Sequence, residues 1–230
     1  MTIKKKSLSF TLLALIVAVV IITFIPRSLS GNEIAVKAAE QLEHKGFEHI
    51  KRTSDKVSSE HYRDLNGSGE VSISYHADGS LFNKTIITEH GRRVYAIGND
   101  NGTLEALTWE LPNNIANENK EVLKKSLLQE LKNELQNKDW IDEGQFSIDN
   151  KEVRKISSQE GKFLECVYID QVTEMPIKKE FIEIVYGKSI VKATEEYRVL
   201  NKTPEHVFDV TGISAKEITA PVPPESTSKG

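Results

Sequence analysis

The chain has 230 residues, 38% of them hydrophobic and 28% charged, which is the composition of a globular domain long enough to bury a core. All 34 acidic residues lie beyond Ser30, whereas four of the 30 basic ones precede it; the outer part is therefore acidic, and without basic stripes interleaved with aromatics it excludes a nucleic-acid surface. Cys166 is the only cysteine, so no intrachain disulfide forms, and its place in an apolar run reads as a small buried hydrophobe.

The N-terminus differs in kind from the rest. Lys4, Lys5 and Lys6 precede an uncharged apolar run from Phe10 to Ile25, closed by Pro26 and Arg27. Basic residues before the run and one after it place the start in the cytoplasm and everything beyond Pro26 outside. Counted from Leu8 the run has 18 residues, above the minimum of roughly 17 for a span. Residues 1–30 are therefore expected to form one N-terminal membrane helix, a single-pass anchor. The alternative is secretion after cleavage near Ser30, because Ser28 and Ser30 are small residues at the two positions a signal peptidase reads. No Cys follows the run, so attachment is through the helix itself.

Residues 31–212 read as one extracytoplasmic domain. Ile34, Ala38 and Leu42 recur at helical spacing over Glu33 to Lys45. Phe47 to Arg63 is polar and weakly patterned, with one strand expected from Lys56 to Arg63. Gly69 to Glu110 is a meander of four strands, in which Val71, Ile73 and Tyr75 alternate with Ser72 and Ser74 and turns fall at Ala77 to Ser80, His90 to Arg92 and Asn99 to Gly102. The run Glu121 to Gln136 places Val122, Leu123, Leu127, Leu128, Leu131 and Leu135 on one face and is expected to be a single helix covering a sheet. Strands resume after Trp140. Phe163 to Ile169, Ile177 to Tyr186 and Ile190 to Leu200 are antiparallel and carry apolar side chains on both faces, so they want cover on both sides. Residues 213–230 read as a disordered tail.

Several motifs lack the residues or spacing that their chemistry needs. The six histidines have no metal-ligand spacing and read as solvated or turn residues. Gly67-Ser68-Gly69 lacks the outer glycines of a nucleophile elbow, and the turn at Asn99 to Gly102 lacks the spacing and distal Glu of a calcium loop. The pairs Glu180 with Glu183 and Glu195 with Glu196 read as a solvated outer face. No cofactor, metal site or catalytic constellation is expected, and the chain is not expected to be an enzyme.

The segment Asp170-x-x-Thr173-x-x-Pro176 between two strands, the charged and aromatic strand after it, and the Phe-bearing segment Pro204 to Phe208 resemble the LolA-like superfamily. That superfamily includes outer-membrane lipoprotein carriers and MucB/RseB-type sigma-factor regulators. Phe146 to Val153 resembles the preceding hairpin, although the family usually has Gly where Asn150 stands. The resemblance covers residues 144–210. It implies an α+β fold, a curved, unclosed antiparallel half-barrel with two helices packed on it, and a lipid or lipidated protein as ligand. Aromatic side chains of the core strands are then the candidates for a ligand-binding lining: Phe163, Tyr168, Phe181, Tyr186 and Tyr197, with Phe181 and Tyr197 foremost. Two functions remain open. One is an exported, membrane-tethered binding module for an apolar ligand; the other is a tethered regulatory protein that docks a membrane protein partner and modulates envelope signalling.

Overall fold

The computed structural model describes residues 29–221 apart from 44, 45, 101, 102, 203, 205 and 213. The expected membrane segment, residues 1–30, thus lies almost wholly outside the described residues, as do His44, the centre of the expected turn at Asn101-Gly102, and residues 222–230. Among the described residues no helix is long and apolar enough to cross a membrane.

The domain is a single open, curved sheet of twelve strands with three helices. In chain order the elements are helix α1 (Gly31–Gln41), strands β1 (Phe47–Ser54), β2 (Val57–Asp64), β3 (Glu70–His76), β4 (Leu81–Thr88), β5 (Arg93–Asp100) and β6 (Thr103–Glu110), helices α2 (Asn113–Leu123) and α3 (Gln129–Asn137), and strands β7 (Ile141–Ile148), β8 (Lys151–Glu160), β9 (Phe163–Asp170), β10 (Pro176–Val185), β11 (Lys188–Leu200) and β12 (Lys216–Glu217). The order across the sheet is β12-β6-β5-β4-β3-β2-β1-β11-β10-β9-β8-β7. Two antiparallel meanders are therefore joined where β1 pairs with β11, from Phe47 opposite Leu200 to Ser54 opposite Ala193.

Three expectations need correction. Phe47 to Arg63 forms two strands rather than one, and β1 is the junction of the sheet. Its polarity hid it: Glu48, His49 and Arg52 are strand residues whose partners are distant side chains, not apolar neighbours. Second, the single helix expected over Glu121 to Gln136 is two helices, with turns between Leu123 and Gln129. The fully buried Glu48 on β1 accepts hydrogen bonds from Ser126 Oγ at 2.5 Å and from the Leu127 amide at 2.6 Å, which draws the chain out of helical register there. The Leu stripe is nonetheless covered, for Leu123, Leu128, Leu131 and Leu135 are all buried. Third, the expected tail adds a two-residue parallel strand, β12, beside β6.

Alternation puts α1 and α3 on one face of the sheet, while α2 packs on the β4–β5 turn. α1 packs against α3, β7 and β8, over Ile156, Val167 and Ile169, which are buried. Gly31 lies so close to the backbone of Trp140 that a Cβ would overlap its carbonyl oxygen, so the start of α1 admits no side chain. On the opposite face of β3, β4 and β5, Val71, Ile86 and Ile97 form a second buried cluster, covered by Val207, Phe208 and Val210 of the segment after β11.

Candidate functional site

A cleft of about 310 Å³ opens between α3 and the sheet. Register sets its floor. Ile50 lies opposite Tyr197, and Arg52 opposite Glu195, across β1 and β11; Glu195 in turn lies opposite Lys179, and Ala193 opposite Phe181, on β10. The paired residues share a face, so Ile50, Arg52, Tyr197, Glu195, Lys179 and Phe181 all point toward α3. Leu127, Leu128 and Leu131 form the apolar roof, with Glu130 and Glu134 of α3 beside them.

One end of the cleft is closed by ions. The Lys179 side chain is 2% exposed and pairs with Glu134 and, at 3.2 Å, with Glu165, while its Nζ sits 4.4 Å from the centre of the Phe181 ring. Lys138 completes the cluster at 2.6 Å from Glu165 and 3.3 Å from Glu134. Burial works to raise the Glu165 carboxyl, but hydrogen bonds from Lys138 and Lys179 outweigh it and hold the group below the usual carboxylate value. Burial likewise works to lower Lys138, and its two glutamates keep it above the ordinary lysine value. At the other end Arg52 is more open. Its guanidinium lies 3.4 Å from Glu195 and 5.3 Å from the Phe181 ring. Tyr197 donates its hydroxyl to Glu195 at 2.6 Å, and burial, with that carboxylate beside it, pushes the phenol far above its ordinary value. The cleft therefore combines an aliphatic and aromatic floor with fixed charges at both ends.

Of the five lining candidates from the sequence, Phe181 and Tyr197 come together here and the others do not. Tyr168 pairs with Lys178 across β9 and β10, one residue out of phase with Lys179, so it lies on the opposite face, where its hydroxyl bonds Glu180 at 2.8 Å. Phe163 shares the helix-bearing face but lines a separate depression with Lys138, Ser158 and Glu165 and is 56% exposed. Tyr186 is not in a strand. It sits in the β10–β11 turn with a positive φ and is fully exposed. Other readings also change: Glu195 faces the cleft rather than an outer solvated surface, and His49 is 6% exposed, stacked on Tyr62 at 4.1 Å. Sequence reasoning missed Lys179, although a Lys between Ile177 and Phe181 on an apolar alternating face was its available signal. Arg52 and Glu134 carried none. Cys166 is buried, as expected.

No family model matches the chain, and no curated protein matches it either. Solved structures do. An uncharacterized conserved protein from Thermus thermophilus is similar at 14% identity and a TM-score of 0.42, over 81% of this chain and 97% of that one. The Mycobacterium tuberculosis lipoprotein LppX is similar at 10% identity and a TM-score of 0.46, over 76% of this chain and 97% of that one. The MucA/MucB complex of Pseudomonas aeruginosa is similar at 10% identity and a TM-score of 0.42, over 78% of this chain and 60% of that one.

Proposed function

We propose that this chain is a LolA-like binding module, exported and held at the membrane by its N-terminal segment, which takes the apolar part of a lipid or acylated protein between α3 and the sheet. No chemical step is assigned to it. The observation that carries the reading is the cleft itself: Ile50, Leu131, Phe181 and Tyr197 surround unfilled space between α3 and the strands β1, β11 and β10. Its volume is at the lower end of ligand sites, roughly 300 to 1,000 Å³. Each methylene buried there gains about 0.8 kcal/mol, so a short stretch of chain suffices for measurable affinity.

The test is fluorescence titration of residues 31–230, a compact unit, with an acyl-chain probe. Saturable binding is expected, and Phe181→Glu and Tyr197→Glu should weaken it at least tenfold in variants whose circular dichroism matches the parent. Absence of saturable binding by the parent sinks the lipid reading. A second reading has its own support, because Arg52, Glu130, Glu134, Lys179 and Glu195 give the cleft more charge than an acyl chain needs. A partner segment with apolar and charged side chains in alternation would use them. Under that reading the probe fails, and Arg52→Glu abolishes capture of a membrane protein partner from solubilised envelopes.

A further inference from the structure

The strand pairings sort the turns of the sheet onto two rims. One rim carries the β1–β2, β3–β4, β8–β9 and β10–β11 turns, because Thr53 pairs with Ser58, Tyr75 with Leu81, Glu160 with Phe163 and Val185 with Lys188. Exposed large apolar side chains concentrate there: Val57, Phe82, Phe163, Tyr186, Ile190 and Val191, with Leu104 and Ile141 at the same ends of β6 and β7. The other rim offers Val172 and Phe146. Single exposed apolar residues mean little, but a row of them along one edge marks a surface that meets something apolar.

Two further observations say what it meets. The β10–β11 turn has positive φ at both Tyr186 and Gly187, the two-residue hairpin geometry that favours Asn, Asp or Gly in the first position. A fully exposed tyrosine is held there against that preference, and an aromatic ring with a polar tip suits the headgroup level of a bilayer. Second, Gly31 sits against Trp140 and Ile141, at the start of β7 and so on this same rim. The sequence puts six peptide links between Ile25, the last residue of the apolar run, and Gly31, which span at most about 20 Å.

We infer that this rim, with Tyr186 and Phe163 foremost, rests on a lipid surface. The inference rests on the membrane-anchor reading above. Held this way, the sheet's turns touch lipid while the cleft under α3 stays a separate site.

The experiment uses the full chain reconstituted into vesicles of phosphatidylethanolamine and phosphatidylglycerol containing a headgroup-depth spin-labelled lipid. Cys166 is replaced by Ala, and an environment-sensitive fluorophore is attached at Tyr186→Cys or Val172→Cys. Co-sedimentation with the vesicles, and quenching at 186 at least twice that at 172, is the expected result. Equal quenching at the two positions in a chain that does sediment with vesicles overturns the rim orientation and leaves the anchor standing. A chain that stays in the supernatant overturns both. A label at 186 that is shielded from aqueous iodide yet unquenched by lipid identifies a protein as the occupant and also overturns the proposal.

Discussion

The two meanders of the sheet are covered from outside on opposite faces, although β8 and β9 also bury Val153, Ser157 and Cys166 on the side away from the helices. In β8, β9 and β10 the buried residues Ile156, Val167 and Lys179 point toward α1 and α3, whereas in β3, β4 and β5 Val71, Ile86 and Ile97 point the other way, under the segment that carries Val207 and Phe208. Register shows the inversion directly. Tyr197 and Ile50 share the helix-bearing face, Ile50 pairs with His61, and His61 pairs with Ser72, so Val71 is on the far side. A twelve-stranded open sheet is too wide for two small helices to cover on one face. The chain solves this by using helices for one meander and its own C-terminal segment for the other. The first solution adds buried charge to apolar packing; the second is apolar.

The largest expected effect breaks the helix-covered half. Replacing Lys179 by Ala removes the buried cation that ties Glu134 of α3 to Glu165 of β9 and leaves both carboxylates to Lys138, and should cost about 1.5 to 3 kcal/mol, the usual worth of hydrogen bonds to charged groups. Urea unfolding measures the loss. Hydrogen exchange should locate it, with protection falling in β8, β9 and β10 before β3, β4 and β5. Uniform loss in both meanders would show that the halves open as one unit.

A smaller effect is expected on the other side. Phe208 is half-buried against the Val71 cluster and meets the Phe47 ring edge-on at 5.9 Å between centroids. Phe208→Ala should cost roughly 1 to 2 kcal/mol, in proportion to the apolar area it covers, with the exchange pattern reversed.

The same contrast explains how much was legible in the sequence. Apolar packing writes a periodic signal, so the meander from Val71 to Trp109, the hairpins after Trp140 and the Leu stripe could all be read. The junction could not. β1 is held by Glu48 to Ser126 and Leu127, by His49 to Tyr62 and by Arg52 to Glu195, and charges satisfied by residues as remote in the chain as Glu195 is from Arg52 leave no local pattern. The same long-range bonds broke the helix that periodicity alone predicts. At the cleft, alternation could nominate Phe181 and Tyr197 but not choose a face, because strands apolar on both sides give the same pattern in either orientation. Tyr168 falls on the other face for that reason, and Tyr186 falls in the β10–β11 turn instead of a strand.

Acidification should separate the regions with the smallest perturbation. Burial holds His49 and His61 below the usual histidine value of 6.5, with Glu60 and Glu70 opposing it only in part. For such groups the unfolded chain binds more protons just below pH 6.5, so stability is complete above that value and falls as the pH drops through it. Glu165 is a depressed carboxylate, and its contribution is complete above the usual value of 4.5 and lost as the pH falls below that. The β1–β2 junction should therefore loosen first, below about pH 6.5, while the α3-to-sheet contacts hold until below about pH 4.5. Urea midpoints measured from pH 8 to pH 3 should show two steps. The double change His49→Gln with His61→Gln should flatten the upper step alone, and Glu165→Gln should reduce only the lower one, to which the depressed carboxyls of Asp142, Asp170 and Glu180 also contribute. If either variant flattened both, the ion cluster under α3 and the histidine pair on β1 and β2 would be one coupled network, and the division of the sheet into two separately held halves would fail.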